Sequence, residues 1–94
     1  MPSYTISKNK TVIGDRNPDE VLSFMAARYV NHDIDTTDGL KVNFPEEWVH
    51  MRKSNTEPII RIYTEARSEA RARDLADRFM AELLEASGQA AVRP

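Results

Sequence analysis

The dipeptide Asp38-Gly39 constrains the fold of this chain most, because it separates two runs that we interpret as strands. Every second residue of Leu40–Phe44 is apolar, which places those side chains on one face of a strand. The run Ile34–Thr37 precedes the dipeptide. An Asp-Gly pair between two such runs predicts a β-hairpin with a type I′ turn.

Two further runs predict strands beyond this hairpin. Trp48–Arg52 follows a tight connection that begins at Pro45, a residue that ends a strand because it has no N–H to donate. Ile59–Thr64 is rich in β-branched and aromatic residues, which favour strands. Residues 1–13 alternate only weakly, so we expect a connector or a short strand there.

A helix is predicted over residues 18–29, before the hairpin. Asn17 suits the N-cap, Pro18 suits the first helical position, and Glu20 stands where a capping box places its acid. The apolar residues that follow have helical spacing: Val21, Leu22, Met25, Ala26 and Tyr29.

A longer helix is predicted after Ser68, which is a suitable N-cap. One stripe of its surface is apolar and consists of Ala72, Leu75, Ala76, Phe79 and Leu83. Gly88 is a natural residue for the end of this helix, so we expect residues 87–94 to form a frayed tail.

These elements predict an α+β fold in which a four-stranded antiparallel sheet carries two helices on one face. The 94 residues, of which 40% are hydrophobic, suffice for one modest core, so residues 1–94 are interpreted as a single domain. No run of apolar residues is long enough to span a membrane. Without cysteine there is no disulfide framework, and we expect a cytoplasmic protein.

The segment Arg52–Pro58 joins the last two predicted strands and is rich in hydrogen-bond donors. Arg52 offers a guanidinium fork, and Ser54, Asn55 and Thr56 donate from their side chains. A tight loop of this kind also turns backbone N–H groups toward one point, forming an anion-binding nest. Ordinary hairpin loops have a similar composition, so the residues alone leave both a plain loop and an anion site open.

The same segment, R-K-S-N-T-E-P, is followed by I-I-R-I-Y-T-E-A over residues 59–66 and resembles the phosphate-binding loop of the α-D-phosphohexomutases. In that family the loop has the form R-x-S-(N/G)-T-E-P. Residues 34–42 resemble the I-D-x-x-D-G-V-x hairpin found upstream of it. The resemblance extends over roughly residues 3–86 and includes the order of the elements.

The resemblance implies the C-terminal domain of a phosphomannomutase/phosphoglucomutase, with a fold similar to the TATA-binding protein. Such a domain closes over the active site and grips the phosphate of a hexose phosphate. Matched motif positions imply that Arg52, Ser54, Asn55 and Thr56 contact this phosphate and that Glu57 closes the loop. Its expected partners are the sugar phosphate and the other domains of a parent enzyme. No catalytic residue is expected on this chain.

Three other loops of the family do not occur in this sequence: the phosphoserine loop T-A-S-H-N-P, the metal loop D-G-D-x-D-R and the sugar loop G-E-x-S-G. We therefore expect magnesium and phosphoserine on missing domains of a parent enzyme, and no mutase activity from these residues alone. Asn55 favours phosphomannomutase/phosphoglucomutase, and phosphoglucosamine mutase is the alternative, because that enzyme more often has Gly at this position.

A different class of function is a small nucleic-acid-binding α+β module. Such modules need a basic surface and a run of aromatic residues on the sheet, whereas this chain has a net charge of -2. The neighbours His32, Asp33 and Asp35 suggest a metal site, but a solvated turn explains them better, since a site needs more convergent ligands. The sequence leaves open the roles of Trp48, His50 and Arg61.

Overall fold

The computed structural model describes residues 4–91 as one sheet and two helices. Along the chain the elements are β1 (Thr5–Val12), α1 (Pro18–Arg28), β2 (Asp33–Asp35), β3 (Leu40–Asn43), β4 (Trp48–Lys53), β5 (Ile59–Ala66) and α2 (Glu69–Ala91). The strands lie in the order β1-β5-β4-β3-β2, and every neighbouring pair is antiparallel. The α+β class is confirmed.

The sheet has five strands, so the predicted count of four is wrong. The added strand is β1, which pairs with β5 over its whole length, from Thr5 opposite Ala66 to Val12 opposite Ile59. Its pattern is inverted: exposed positions include apolar residues such as Ile6, whereas the half-buried and buried positions are polar. Hydrophobic alternation therefore gave only a weak signal for this edge strand.

The turn between β2 and β3 also differs from the prediction. Four residues, 36–39, lie between the two strands. A type I′ turn needs positive φ at both central residues, but in the described part of the chain only Gly14 and Gly39 have positive φ. The Asp35 carboxylate instead begins the loop by accepting the Thr37 N–H at 2.8 Å, and this bond lowers the pKa of Asp35.

The core lies between one face of the sheet and both helices, as predicted. The predicted stripe of α2 is fully buried, and Phe79 is the largest of its side chains. Val21 and Met25 of α1 pack in the same cluster as Val42 and Ile62 of the sheet. The opposite face of the sheet carries no helix among residues 4–91. Neither helix in that range is long and apolar enough to cross a membrane.

The predicted helix starts are confirmed by their caps. The Asn17 side chain accepts the N–H groups of Asp19 and Glu20, and Ser68 Oγ accepts the Arg71 N–H at 3.1 Å. The predicted end of α2 is wrong, because the helix continues through Gly88 to Ala91. Two buried side chains hold its last described turns on the core: Ala86 and Ser87. Residues 87–91 are thus helical rather than a frayed tail. The rest of the predicted tail, residues 92–94, and residues 1–3 of the predicted N-terminal connector or strand lie outside the described residues.

One buried hydroxyl ties the two helices together. The Tyr29 side chain is 5% exposed, and its hydroxyl donates to the Glu82 carboxylate at 2.7 Å. Arg28 reaches Glu82 at 3.3 Å, and Arg78 donates to the Tyr29 hydroxyl at 3.3 Å. Burial, together with the bond to Glu82, raises the pKa of Tyr29.

We expect Tyr29→Phe to lower the free energy of unfolding by about 1.5 kcal/mol at neutral pH, the size of a hydrogen bond to a charged group. Because the folded pKa of Tyr29 is raised, this contribution is present below the unfolded pKa of 10.0 and is lost as pH rises through the folded value. Urea unfolding at neutral and alkaline pH measures both effects. Equal loss of stability with rising pH in the variant and the wild type would contradict this role.

Candidate functional site

The loop between β4 and β5 is closed by its own backbone. Ser54 N–H donates to the Ile59 carbonyl at 3.2 Å, and Ile59 N–H donates to the Glu57 carbonyl at 2.8 Å. The Pro58 carbonyl accepts from Ile13 N–H at 2.9 Å, which fixes the loop to the end of β1. Anchored at both ends, the loop presents its exposed polar side chains at one end of the two inner strands that it joins.

The Ser54 hydroxyl is the centre of this loop. Its oxygen accepts the N–H groups of Thr56 and Glu57, each at 3.2 Å, and lies 3.4 Å from Thr56 Oγ1. The predicted convergence of N–H groups thus exists, but it points at Ser54 rather than at an open position. Because a hydroxyl has two acceptor sites and one hydrogen, the two N–H groups leave the Ser54 hydrogen for another acceptor.

Arg52 lies near the end of β4, just before this loop, and is held by a carboxylate from another strand connection. Its Nη2 lies 3.2 Å from Asp38 Oδ2. The pairing of Leu40 with Met51 brings the 36–39 loop beside Arg52. The two charged side chains are 48% and 65% exposed, so solvent screens the pair and it contributes little to stability.

A cleft of about 160 Å³ lies between this pair and the start of α1. The predicted residues Arg52 and Asn55 both line it, whereas Ser54, Thr56 and Glu57 lie in the adjoining loop. The rest of its lining is Asp19, Leu22, Asp38, Gly39 and Lys53. Lys53 Nζ lies 3.0 Å from Asp19 Oδ1. With the Arg52–Asp38 pair, the cleft lining thus has two positive and two negative charges.

The Glu57 carboxylate turns away from the cleft toward the open face of the sheet. The carboxylate lies 3.6 Å from Arg61 Nη2. Glu57 therefore contacts the Ser54 hydroxyl through its backbone N–H and not through its side chain. Arg61 is 44% exposed and directly opposite Arg52 in the β4–β5 register. The structure thus places Arg61, whose role the sequence left open, on the uncovered face of the sheet.

Trp48 and His50 lie on this same open face. Trp48 Nε1 donates to Glu65 at 3.2 Å, and the Lys41 ammonium lies 4.9 Å from the centre of its ring. His50 Nε2 lies 2.6 Å from the Asp38 carbonyl oxygen, so it supports the same turn that pairs with Arg52. Trp48 is half-buried outside the core and is already in contact with charged side chains.

His32, Asp33 and Asp35 do not converge on a metal site. The His32 ring packs edge-on against Tyr29 and Phe44, with centroids 5.1 and 5.8 Å apart. Asp33 and Asp35 lie on β2. Within the described range, no three His, Asp or Glu side chains converge closely enough to hold a metal ion.

The sequence did not predict that two acidic residues, Asp19 and Asp38, form ion pairs with the cations of this site. Asp19 lies in the first turn of α1, and Asp38 lies in the turn between β2 and β3. Their contacts with Lys53 and Arg52 arise from strand register and helix packing between segments distant in sequence. No local pattern carries that information.

The chain matches the family model "Phosphoglucomutase/phosphomannomutase, C-terminal domain" over residues 8–82. It is 42% identical over 82 residues to a probable phosphoglucosamine mutase of Methanopyrus kandleri, covering 85% of this chain and 18% of that protein. It is 45% identical over 75 residues to a phosphoglucomutase/phosphomannomutase of Thermococcus kodakarensis, covering 79% of this chain and 16% of that protein.

A crystal structure of a phosphoglucomutase/phosphomannomutase family protein from Burkholderia thailandensis has a similar fold. The TM-score is 0.65 at 24% identity, over 95% of this chain and 19% of that one. At this identity the likeness concerns the fold alone. In all three comparisons the chain spans less than a fifth of the length of the other protein.

Proposed function

The chain belongs to the phosphoglucomutase/phosphomannomutase family, matching its C-terminal domain, and from this we propose that it binds the phosphate of a hexose phosphate. The observation that carries the proposal is that Arg52 and Asn55 line one cleft beside the loop centred on Ser54, and that these residues resemble the family's phosphate-binding motif. The parent protein is proposed to be a mutase that transfers a phosphoryl group within the sugar.

Arg52 has the chemistry to hold the phosphate through two parallel N–H···O bonds, once the phosphate replaces the exposed Asp38 carboxylate. The Ser54 hydrogen then has a ligand oxygen to bond, while the N–H groups of Thr56 and Glu57 keep the hydroxyl oriented. Asn55, on the cleft wall, is placed to donate from its amide. These contacts fix the phosphate without performing chemistry on it.

In the parent protein this grip serves the reaction from a distance. Binding energy from a phosphate remote from the reacting bond orients the sugar, and closure of the domain excludes water. Magnesium and the phosphoserine donor are proposed to lie on other domains, because the family's metal and phosphoserine loops do not occur in this sequence. The 94 residues alone are therefore proposed to bind without turnover.

The identity of the hexose is not fixed by this domain's loop. Relatives of this chain carry both names, phosphoglucosamine mutase and phosphoglucomutase/phosphomannomutase. The preference that Asn55 suggested is not supported by these names, so the proposal extends to hexose phosphates as a class. All of these sugars carry a phosphate, which is the group that Arg52 and Ser54 are proposed to bind.

Titration of the ¹⁵N-labelled chain with glucose 6-phosphate tests the proposal. We expect saturable amide shifts in residues 52–57, and no such response to glucose, because the loop addresses the phosphate. Single-stranded RNA serves as the competing ligand class. Salt-dependent RNA binding with an unresponsive loop would replace the proposed function with that of a nucleic-acid-binding module.

Asp38→Asn is expected to tighten glucose 6-phosphate binding by roughly 1.5- to 5-fold, the range of an exposed ion pair that the ligand no longer has to displace. The substitution keeps the shape of the turn and the backbone carbonyl that contacts His50. Asp77→Asn, an exposed site on α2, controls for the change in net charge. Equal or weaker binding by Asp38→Asn would show that Asp38 supports the site rather than occupying it.

A further inference from the structure

Cations stand side by side across three strands of the open sheet face. The register places Lys10 of β1 opposite Arg61 of β5, and Arg61 opposite Arg52 of β4. Side chains at directly opposed positions start about 5 Å apart, so like charges there destabilise the sheet. Two residues along β1, the exposed Lys8 lies opposite Tyr63, which extends the positive charge along the strand.

Few carboxylates compensate these charges. Among the described residues, Lys8 and Lys10 have no ion-pair partner. Arg61 has only the Glu57 carboxylate at 3.6 Å, with both side chains about half exposed, so this contact contributes little. Lys8 and Lys10 therefore keep their positive charge available for an external anion, and the weak contact with Glu57 leaves most of the Arg61 charge available as well.

The cluster lines an open surface depression. A depression of about 250 Å³ is lined by Lys8, Asn9, Lys10, Arg61 and Tyr63, and none of these residues is acidic. Two ammonium groups, a guanidinium and a phenol surround it, so the charged lining groups are all donors. This depression shares no lining residue with the cleft beside Arg52 and Asn55.

We propose that this depression on the open sheet face is a second anion site, which takes a phosphate dianion between Lys8, Lys10 and Arg61. The dianion relieves the repulsion between Lys10 and Arg61, and the Tyr63 hydroxyl supplies a further hydrogen bond. Arg61 leaves Glu57 when the anion binds.

Titration with inorganic phosphate, at constant ionic strength and mildly alkaline pH where it is mainly a dianion, tests the second site. We expect saturable amide shifts in residues 8–10 and 61–63 of the ¹⁵N-labelled chain. Arg61→Gln is expected to weaken this response about fivefold. Arg16→Gln, which removes the same charge from an exposed loop, is expected to leave it unchanged.

Stability gives a second readout that needs no assigned spectrum. Lys10→Gln is expected to raise the melting temperature slightly in low salt without phosphate, because it removes a repelling charge, and high salt is expected to cancel the rise. Phosphate is expected to stabilise the wild type more than Lys10→Gln. A destabilised Lys10→Gln protein in low salt would contradict the proposed repulsion.

The outcomes separate the two sites. Arg52→Ala is expected to remove the response of the loop while residues 8–10 and 61–63 still respond, so either site can fail alone. Shifts in the second group that do not saturate, or that chloride reproduces at equal ionic strength, would overturn the second site. Binding of a poly-glutamate peptide without binding of phosphate would also overturn it, and would identify the face as a docking surface for acidic protein.

Discussion

Gly39→Ala is expected to lower the free energy of unfolding by about 3 kcal/mol, because the added methyl group meets both a strained backbone and a close neighbour. Gly39 has φ +72°, where an L side chain costs about 1–2 kcal/mol. A Cβ at this position would also lie 2.2 Å from the Met51 carbonyl oxygen and 3.2 Å from Arg52 Cα. Since both neighbours are backbone atoms of β4, the turn would have to move away from that strand.

Gly14→Ala is the matched control. Gly14 also has positive φ, at +61°, but a Cβ there has no neighbour within 4 Å, so only the backbone term of about 1 kcal/mol is expected. The difference between the two variants in urea unfolding isolates the close approach of the turn to β4. Equal losses at Gly39 and Gly14 would mean that the turn adapts freely.

Movement of this turn has a consequence for the site. Asp38 bonds Arg52 through its carboxylate and contacts His50 through its carbonyl, so Gly39 sets the distance at which both contacts form. We therefore expect Gly39→Ala to weaken phosphate binding as well as stability. Gly39 is the glycine of the I-D-x-x-D-G segment that resembles the family hairpin. Glycine is required there because a Cβ would not fit between the turn and β4.

What the sequence predicted correctly is local. Asn17 and Ser68 cap their helices through bonds within three residues, and the apolar stripe of α2 around Phe79 needs only helical periodicity. Gly39 marked the hairpin, although the turn type was wrong. The Asp35 carboxylate, by bonding Thr37, starts a longer loop than an Asp-Gly pair alone predicts.

What the sequence did not predict depends on contacts between distant segments. The sequence left residues 1–13 open between a connector and a short strand; β1 is a strand because β5 offers it a full ladder, although polar residues such as Asn9 face the core side. Helix α2 continues past Gly88 because Ala86 and Ser87 are buried on the core. The pairing of Arg52 with Asp38 follows from sheet register, which no local pattern specifies.

Arg52→Ala is expected to weaken glucose 6-phosphate binding at least tenfold, which corresponds to about 1.5 kcal/mol, the lower end for charge-assisted hydrogen bonds. The lower end applies because the Arg52 side chain is 48% exposed and solvent screens its charge. Stability is expected to change little, since the substitution removes only an exposed ion pair with Asp38. The dissociation constant comes from amide shifts of residues 54–57, and urea unfolding provides the check on folding.

Two controls determine what weaker binding by Arg52→Ala means. Arg52→Lys keeps the charge but not the planar fork, so binding is expected to stay nearly as weak if the contact is bidentate. Arg73→Ala removes an arginine that pairs with Glu69 at 3.6 Å on α2, and it is expected to leave binding unchanged. Full recovery with lysine would reduce the role of Arg52 to charge alone. Unchanged binding by Arg52→Ala would remove the residue on which the proposed phosphate site depends.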